Sequence, residues 1–84
     1  MKIYYTPRFE RAYKKLPARI KNAAKESIGI FQKDPNAQRL NTHKLHGKMR
    51  GACSFSVTRE YRIIFEYIEG GVVFLIIGNH KIYH

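Results

Sequence analysis

One cysteine, six carboxylates and no long apolar run set the first limits on this 84-residue chain. Cys53 has no second cysteine with which to close a disulfide, and its place in an alternating apolar segment suits a small buried side chain in a reducing compartment. No stretch approaches the roughly 18 apolar residues of a membrane helix, so no membrane partner is expected. The opening residues MKIYYTPRFERAYKK lack the long apolar region of a secretory leader, which predicts a cytoplasmic protein. The length predicts one domain, 1–84, burying about 60–65% of its unfolded surface around one core.

What the chain has in excess is positive charge. Sixteen Lys and Arg face six Asp and Glu, and the imbalance is uneven. Residues 1–50 carry the whole net charge of +10, whereas residues 51–84 hold Arg59, Arg62 and Lys81 against Glu60, Glu66 and Glu69. A surface this lopsided points to a polyanion, because neutralising phosphates releases their counterions. An acidic protein partner satisfies the same field. The stretch NTHKLHGKMRG, residues 41–51, gathers His43, His46, Lys44, Lys48 and Arg50 without one carboxylate.

The order of elements reads from local periodicity. KIYY, residues 2–5, is a short strand, followed by Thr6 as a helix cap and Pro7 at the first helical position. Phe9, Ala12, Tyr13 and Leu16 recur at helical spacing, Pro17 restarts the count, and Ile20, Ala24, Ile28 and Phe31 form a second stripe. Arg19, Lys21, Lys25 and Lys33 lie outside that stripe, so a helical hairpin with a basic exterior is expected. Asp34-Pro35-Asn36 ends the second helix, and about ten residues without clear periodicity follow. Cys53, Phe55 and Val57 alternate with Ser54, Ser56 and Thr58, as in a strand with one drier face. YRIIFEYI (61–68) and VVFLII (72–77) are strand-like runs joined at Glu69-Gly70-Gly71. The expected fold is α+β, in the order βααβββ, with the helical hairpin packed on one face of an antiparallel sheet and the other face open for a ligand.

Three elements, HKLHGKMRG, SFSVTREYRIIFEY and the strand ending in GNHKIYH, resemble the RelE/ParE superfamily of toxins from type II toxin–antitoxin systems. The similarity is greatest to the YafQ- and YoeB-like mRNA interferases and spans nearly the whole chain. It implies a ribosome-dependent endoribonuclease that inhibits translation, with mRNA and the ribosome as partners and a cognate antitoxin as its inhibitor. A second branch of the superfamily, the ParE-like inhibitors of DNA gyrase, shares the scaffold and needs neither histidine. A third reading is a toxin homologue that retains antitoxin binding alone.

Metal-independent RNA cleavage uses the 2′-hydroxyl as nucleophile, with a base to take its proton, a cation for the phosphorane and an acid for the departing 5′-oxygen. No cofactor is expected. His43 and His46 come without cysteine or carboxylate ligands, so no metal is expected either. By resemblance His43 is the base, Arg62 the transition-state stabiliser and His80 the acid. Glu60 falls near an acidic residue that some similar toxins use and is expected to orient a histidine, and Tyr83 or His84 supplies the C-terminal aromatic or polar group. Lys44, His46, Lys48 and Arg50 are expected to hold phosphates, with His46 also placed to order the turn at Gly47. A salt bridge from Arg62 to Glu60 or Glu66 is the competing structural role. Ser56 stands where some similar toxins carry a further histidine.

Overall fold

The computed structural model describes residues 1–83, the last through its backbone. Thr6 ends the first strand, β1 (Lys2–Tyr5), and its hydroxyl accepts the Phe9 amide at 3.0 Å, starting α1 (Pro7–Lys14) with proline at the first position. Pro17 precedes α2 (Ala18–Lys33), which buries Ile20, Ala24, Ser27 and Phe31. Ile28 is half-buried, so the stripe read from sequence is rotated slightly toward Ser27. The Asp34 carboxylate then accepts the Asn36 amide at 3.0 Å and turns the chain out of the helix.

The remaining strands are β2 (His43–Lys44), β3 (Cys53–Ser56), β4 (Tyr61–Ile68) and β5 (Gly71–Asn79). They form one sheet in the order β1-β5-β4-β3-β2. The sheet is mixed, which corrects the antiparallel expectation: β1 runs parallel to β5, and the other pairs are antiparallel. The reason is long-range. After β4 pairs with one edge of β5, the other edge keeps a row of unpaired amides and carbonyls, and the N-terminal strand covers it. Gly71 permits the approach, since a Cβ there would stand 2.0 Å from the Lys2 carbonyl oxygen.

A bulge in β5 sets which side chains face the helices. Ile64 pairs with Ile76 but Phe65 pairs with Phe74, so Leu75 is the extra residue. Its carbonyl accepts the Thr6 hydroxyl at 2.8 Å. The inserted residue lets Val72, Phe74 and Ile77, which do not share one alternating phase, all enter the helix-side core. At its centre Phe31 stacks on Phe55 at 4.6 Å and meets Phe65 edge-on at 4.9 Å, with Phe74 at 5.6 Å. Each such pair adds about 0.5–1.5 kcal/mol beyond area burial. Both faces of β3 are dry over most of its length, because Ser54 is buried as fully as Phe55. None of the helices among the described residues is long and apolar enough to cross a membrane.

Phe31→Ala is expected to cost about 3–5 kcal/mol by opening a cavity among three rings. Urea unfolding should show a lowered midpoint with an unchanged slope.

Candidate functional site

The segment between α2 and β3 is more ordered than its lack of periodicity implied. A 3-10 turn, Gln38–Leu40, drives Leu40 fully into the core. Asn41 follows in the left-handed region at φ 50°, which asparagine tolerates better than most residues. Its carbonyl lies 2.9 Å from His43 Nδ1. A carbonyl only accepts, so Nδ1 carries the proton and the neutral ring keeps its lone pair on Nε2. His43 is exposed, so this is an imidazole with a fixed tautomer and an accessible accepting nitrogen.

Register decides which residues share a face. His43 pairs with Ser54, and Arg62 pairs with Ser56. Paired residues project to the same side, and Ser54 and Ser56 are two apart, so His43 and Arg62 both project from the face opposite the helices, the outer face. Strand spacing of about 4.8 Å and a rise of about 3.4 Å per residue put their backbones on the order of 12 Å apart. The Arg62 guanidinium donates to the Ser56 hydroxyl. Among the described residues the ion pair is Arg39–Glu26, so the salt bridge considered for Arg62 with Glu60 or Glu66 does not form.

Thr58 sets this register. Its hydroxyl accepts the amides of Glu60 and Tyr61 at 3.2 and 3.1 Å, closing the β3–β4 turn so that Ser56 meets Arg62. Glu60 is exposed in that turn, and its carboxylate is not hydrogen-bonded to any described histidine.

Arg62 also pairs with Gly78 of β5. Beyond Asn79 the chain enters a 3-10 turn, His80–Tyr83, and Ile82 lies against Gly78 so closely that a Cβ there would stand 2.3 Å from Ile82 Cγ2. The turn that begins with His80 is therefore folded onto the outer face beside Arg62. This face is not left fully open, as the sequence suggested: Ser54 and Ile64 are fully buried on it. His80 itself is exposed. His84 and the Tyr83 side chain lie outside the described residues.

Two clefts flank β3. At the edge that β2 leaves unpaired, Ser27, Arg39, Ser56, Val57, Thr58, Arg59 and Arg62 line about 360 Å³. Arg39 and Arg59 are additions that the sequence did not single out: Arg39 lies in the stretch without clear periodicity, and Arg59, inside SFSVTREYRIIFEY, was given no role there. A cleft of about 490 Å³ has Lys44, Leu45, His46, Arg50, Gly51, Ala52, Cys53 and Tyr67 as its lining. Lys44 pairs with Cys53, which belongs to the helix-side core, so Lys44 projects from the face opposite His43. The phosphate-holding set thus divides: Lys44, His46 and Arg50 gather in the second cleft, whereas Lys48 sits exposed in the 3-10 turn Gly47–Met49 and lines neither. Burial pushes the Cys53 thiol up, with Lys44 opposing, which favours the protonated, unreactive form.

No protein-family model matches the chain, and no curated protein sequence matches it. Solved structures do. YafQ from E. coli strain BL21(DE3) superposes with a TM-score of 0.81 at 19% identity, over 98% of this chain and 96% of that one. A YoeB/ParE toxin from Agrobacterium tumefaciens gives 0.78 at 22% identity, over 95% and 99%. The toxin–antitoxin complex RelBE2 from Mycobacterium tuberculosis gives 0.75 at 23%, over 94% and 96%. The mixed sheet with its helical hairpin is therefore the α+β fold shared with these YafQ, YoeB/ParE and RelE structures.

The Asn41 contact predicts that neutral His43 is the Nδ1–H tautomer, the reverse of the usual preference of free histidine. Long-range 1H–15N correlation spectra at pH 8.5 read this directly. A protonated Nε2 at His43 would refute the assignment.

Proposed function

We infer that the whole chain, 1–84, is the toxin of a type II toxin–antitoxin system and acts as a ribosome-dependent mRNA endoribonuclease. One observation carries the reading: His43 and Arg62 project from the same outer face, and the turn opened by His80 folds back onto that face at Gly78, opposite Arg62. The fold shared with YafQ and YoeB supports it.

In the reaction, His43 Nε2 takes the proton of the 2′-hydroxyl, and the resulting oxygen attacks the adjacent phosphorus. Arg62, held by Ser56, presents N–H donors to the non-bridging oxygens as the phosphorane gains negative charge. The bond from phosphorus to the 5′-oxygen breaks, and His80 protonates that oxygen. The products are a 2′,3′-cyclic phosphate and a 5′-hydroxyl, with no metal or cofactor needed. Because RNA supplies its own nucleophile, the exposed histidines and the half-buried arginine cover the remaining roles. Arg59 extends the positive field around Arg62 toward the neighbouring phosphates, while Arg39 in the same cleft is ion-paired with Glu26. The basic outer residues of α2 suit ribosomal RNA in the cytoplasm.

The partner that holds the toxin silent is a cognate antitoxin, as in the DinJ–YafQ and RelB–RelE complexes solved for proteins of this fold. An amphipathic antitoxin segment fits the groove of about 390 Å³ between the helices, which has Tyr5, Phe9, Tyr13 and Ile28 as its apolar lining and Glu10, Lys14 and Lys25 as its charged lining.

An in vitro translation reaction with added protein tests the reading, with mRNA ends mapped by primer extension. Ribosome-dependent cuts should carry cyclic phosphate ends. His43→Ala and His80→Ala should each slow cutting about 10²–10⁴-fold, and Arg62→Ala about 10²–10³-fold. Intact mRNA from a protein that still arrests growth would sink the reading in favour of gyrase inhibition, to be measured by DNA supercoiling.

A further inference from the structure

The cleft formed by Lys44, His46, Arg50 and Tyr67 is separate from the cutting face. Lys44 projects away from His43, and Tyr67 lies on the helix side of β4, where it pairs with the core residue Val72. No carboxylate lines this cleft. Its floor is apolar, from Leu45, Ala52 and Cys53, and Tyr67 stands 56% exposed. The Tyr67 ring is held by edge-on contact with Phe65 at 5.3 Å and an interplanar angle of 76°, so its orientation is set by the core. An exposed, fixed aromatic ring beside cations, above an apolar floor, matches the needs of an unpaired nucleobase and its adjoining phosphates. The volume of about 490 Å³ accommodates one nucleotide.

We propose that this cleft is a nucleotide-binding subsite, in which an unpaired RNA base stacks on Tyr67 while Lys44 and Arg50 hold the phosphates on either side. His46 adds a hydrogen-bond donor or acceptor at the base edge or ribose. Because β2 is an edge strand of two residues, an RNA strand bent around it meets His43 on one face and Lys44 on the other. The subsite anchors RNA away from the scissile phosphate and rests on the RNA reading given above.

The test uses the intact protein and a mixed-sequence 2′-O-methyl RNA hexamer, which binds but lacks the attacking hydroxyl. Aromatic 1H–13C correlation spectra that follow the exposed Tyr67 ring, assigned by Tyr67→Phe, report occupancy of the cleft. The hexamer should shift the Tyr67 ring resonances in a saturable way. Tyr67→Ala should weaken hexamer binding about tenfold and Tyr67→Phe should restore it. Lys44→Ala and Arg50→Ala should each lower the slope of log affinity against log salt by about 0.7. Unchanged hexamer binding in Tyr67→Ala, or Tyr67 ring resonances unaffected by hexamer, overturns the proposal. So does equally tight binding of a polyglutamate peptide that ignores Tyr67, which would mark the cleft as a site for acidic protein. Cleavage of mRNA by the wild-type protein with the Tyr67 resonances unmoved by hexamer would remove this subsite and leave the ribonuclease reading standing. Tyr67-dependent hexamer binding by a wild-type protein that never cuts mRNA would do the reverse.

Discussion

The inserted residue in β5 is the constraint on which both the core and the outer face depend. Strand side chains alternate with period two, so Phe74 and Ile77 fall on opposite faces of a regular strand. With Leu75 bulged, both face α1 and α2, and Gly78 is turned to the outer face. That reversal sends the turn beginning at His80 over the face that bears Arg62. A regular β5 would carry Gly78 and the following turn to the helix side. The Thr6 hydroxyl, bonded to the freed Leu75 carbonyl, ties the start of α1 to the same bulge. One side chain therefore caps a helix and stabilises the irregularity that arranges the site.

Local periodicity exposed much of this fold. The two helices, the cap at Thr6 and the three strands of the second half all follow from spacing and turn residues within windows of a dozen positions. Parallel pairing of β1 with β5 left no such trace, because it joins residues about seventy positions apart. The bulge was hidden for a different reason: VVFLII is apolar throughout, so a change of phase inside it leaves the pattern unaltered. Among site residues, Arg62 and His43 were found by resemblance, and their common face was not legible until the register was known. The separation of His43 from Lys44 was latent in their adjacency, since neighbours in a strand point to opposite faces, but two residues are too few to announce a strand. Arg39 and Arg59 reach their cleft only through the 3-10 turn and the Thr58 turn, which depend on tertiary packing.

The distribution of charge follows from where stability comes from. With sixteen cations in the chain, the Arg39–Glu26 pair leaves both side chains about 60% exposed, and such pairs contribute about 0–1 kcal/mol. The ring cluster around Phe31 and the paired strands hold the fold, so few cations are committed to internal neutralisation. Arg62 is the sharpest case. A carboxylate partner would fix its position and cancel its charge, whereas the Ser56 hydroxyl fixes its position and leaves the full positive charge in place. For the role proposed for Arg62, meeting developing negative charge at phosphorus, that difference matters more than bond strength. Stabilisation there depends on the field present before reaction, and a neutral hydroxyl orients the guanidinium without lowering it.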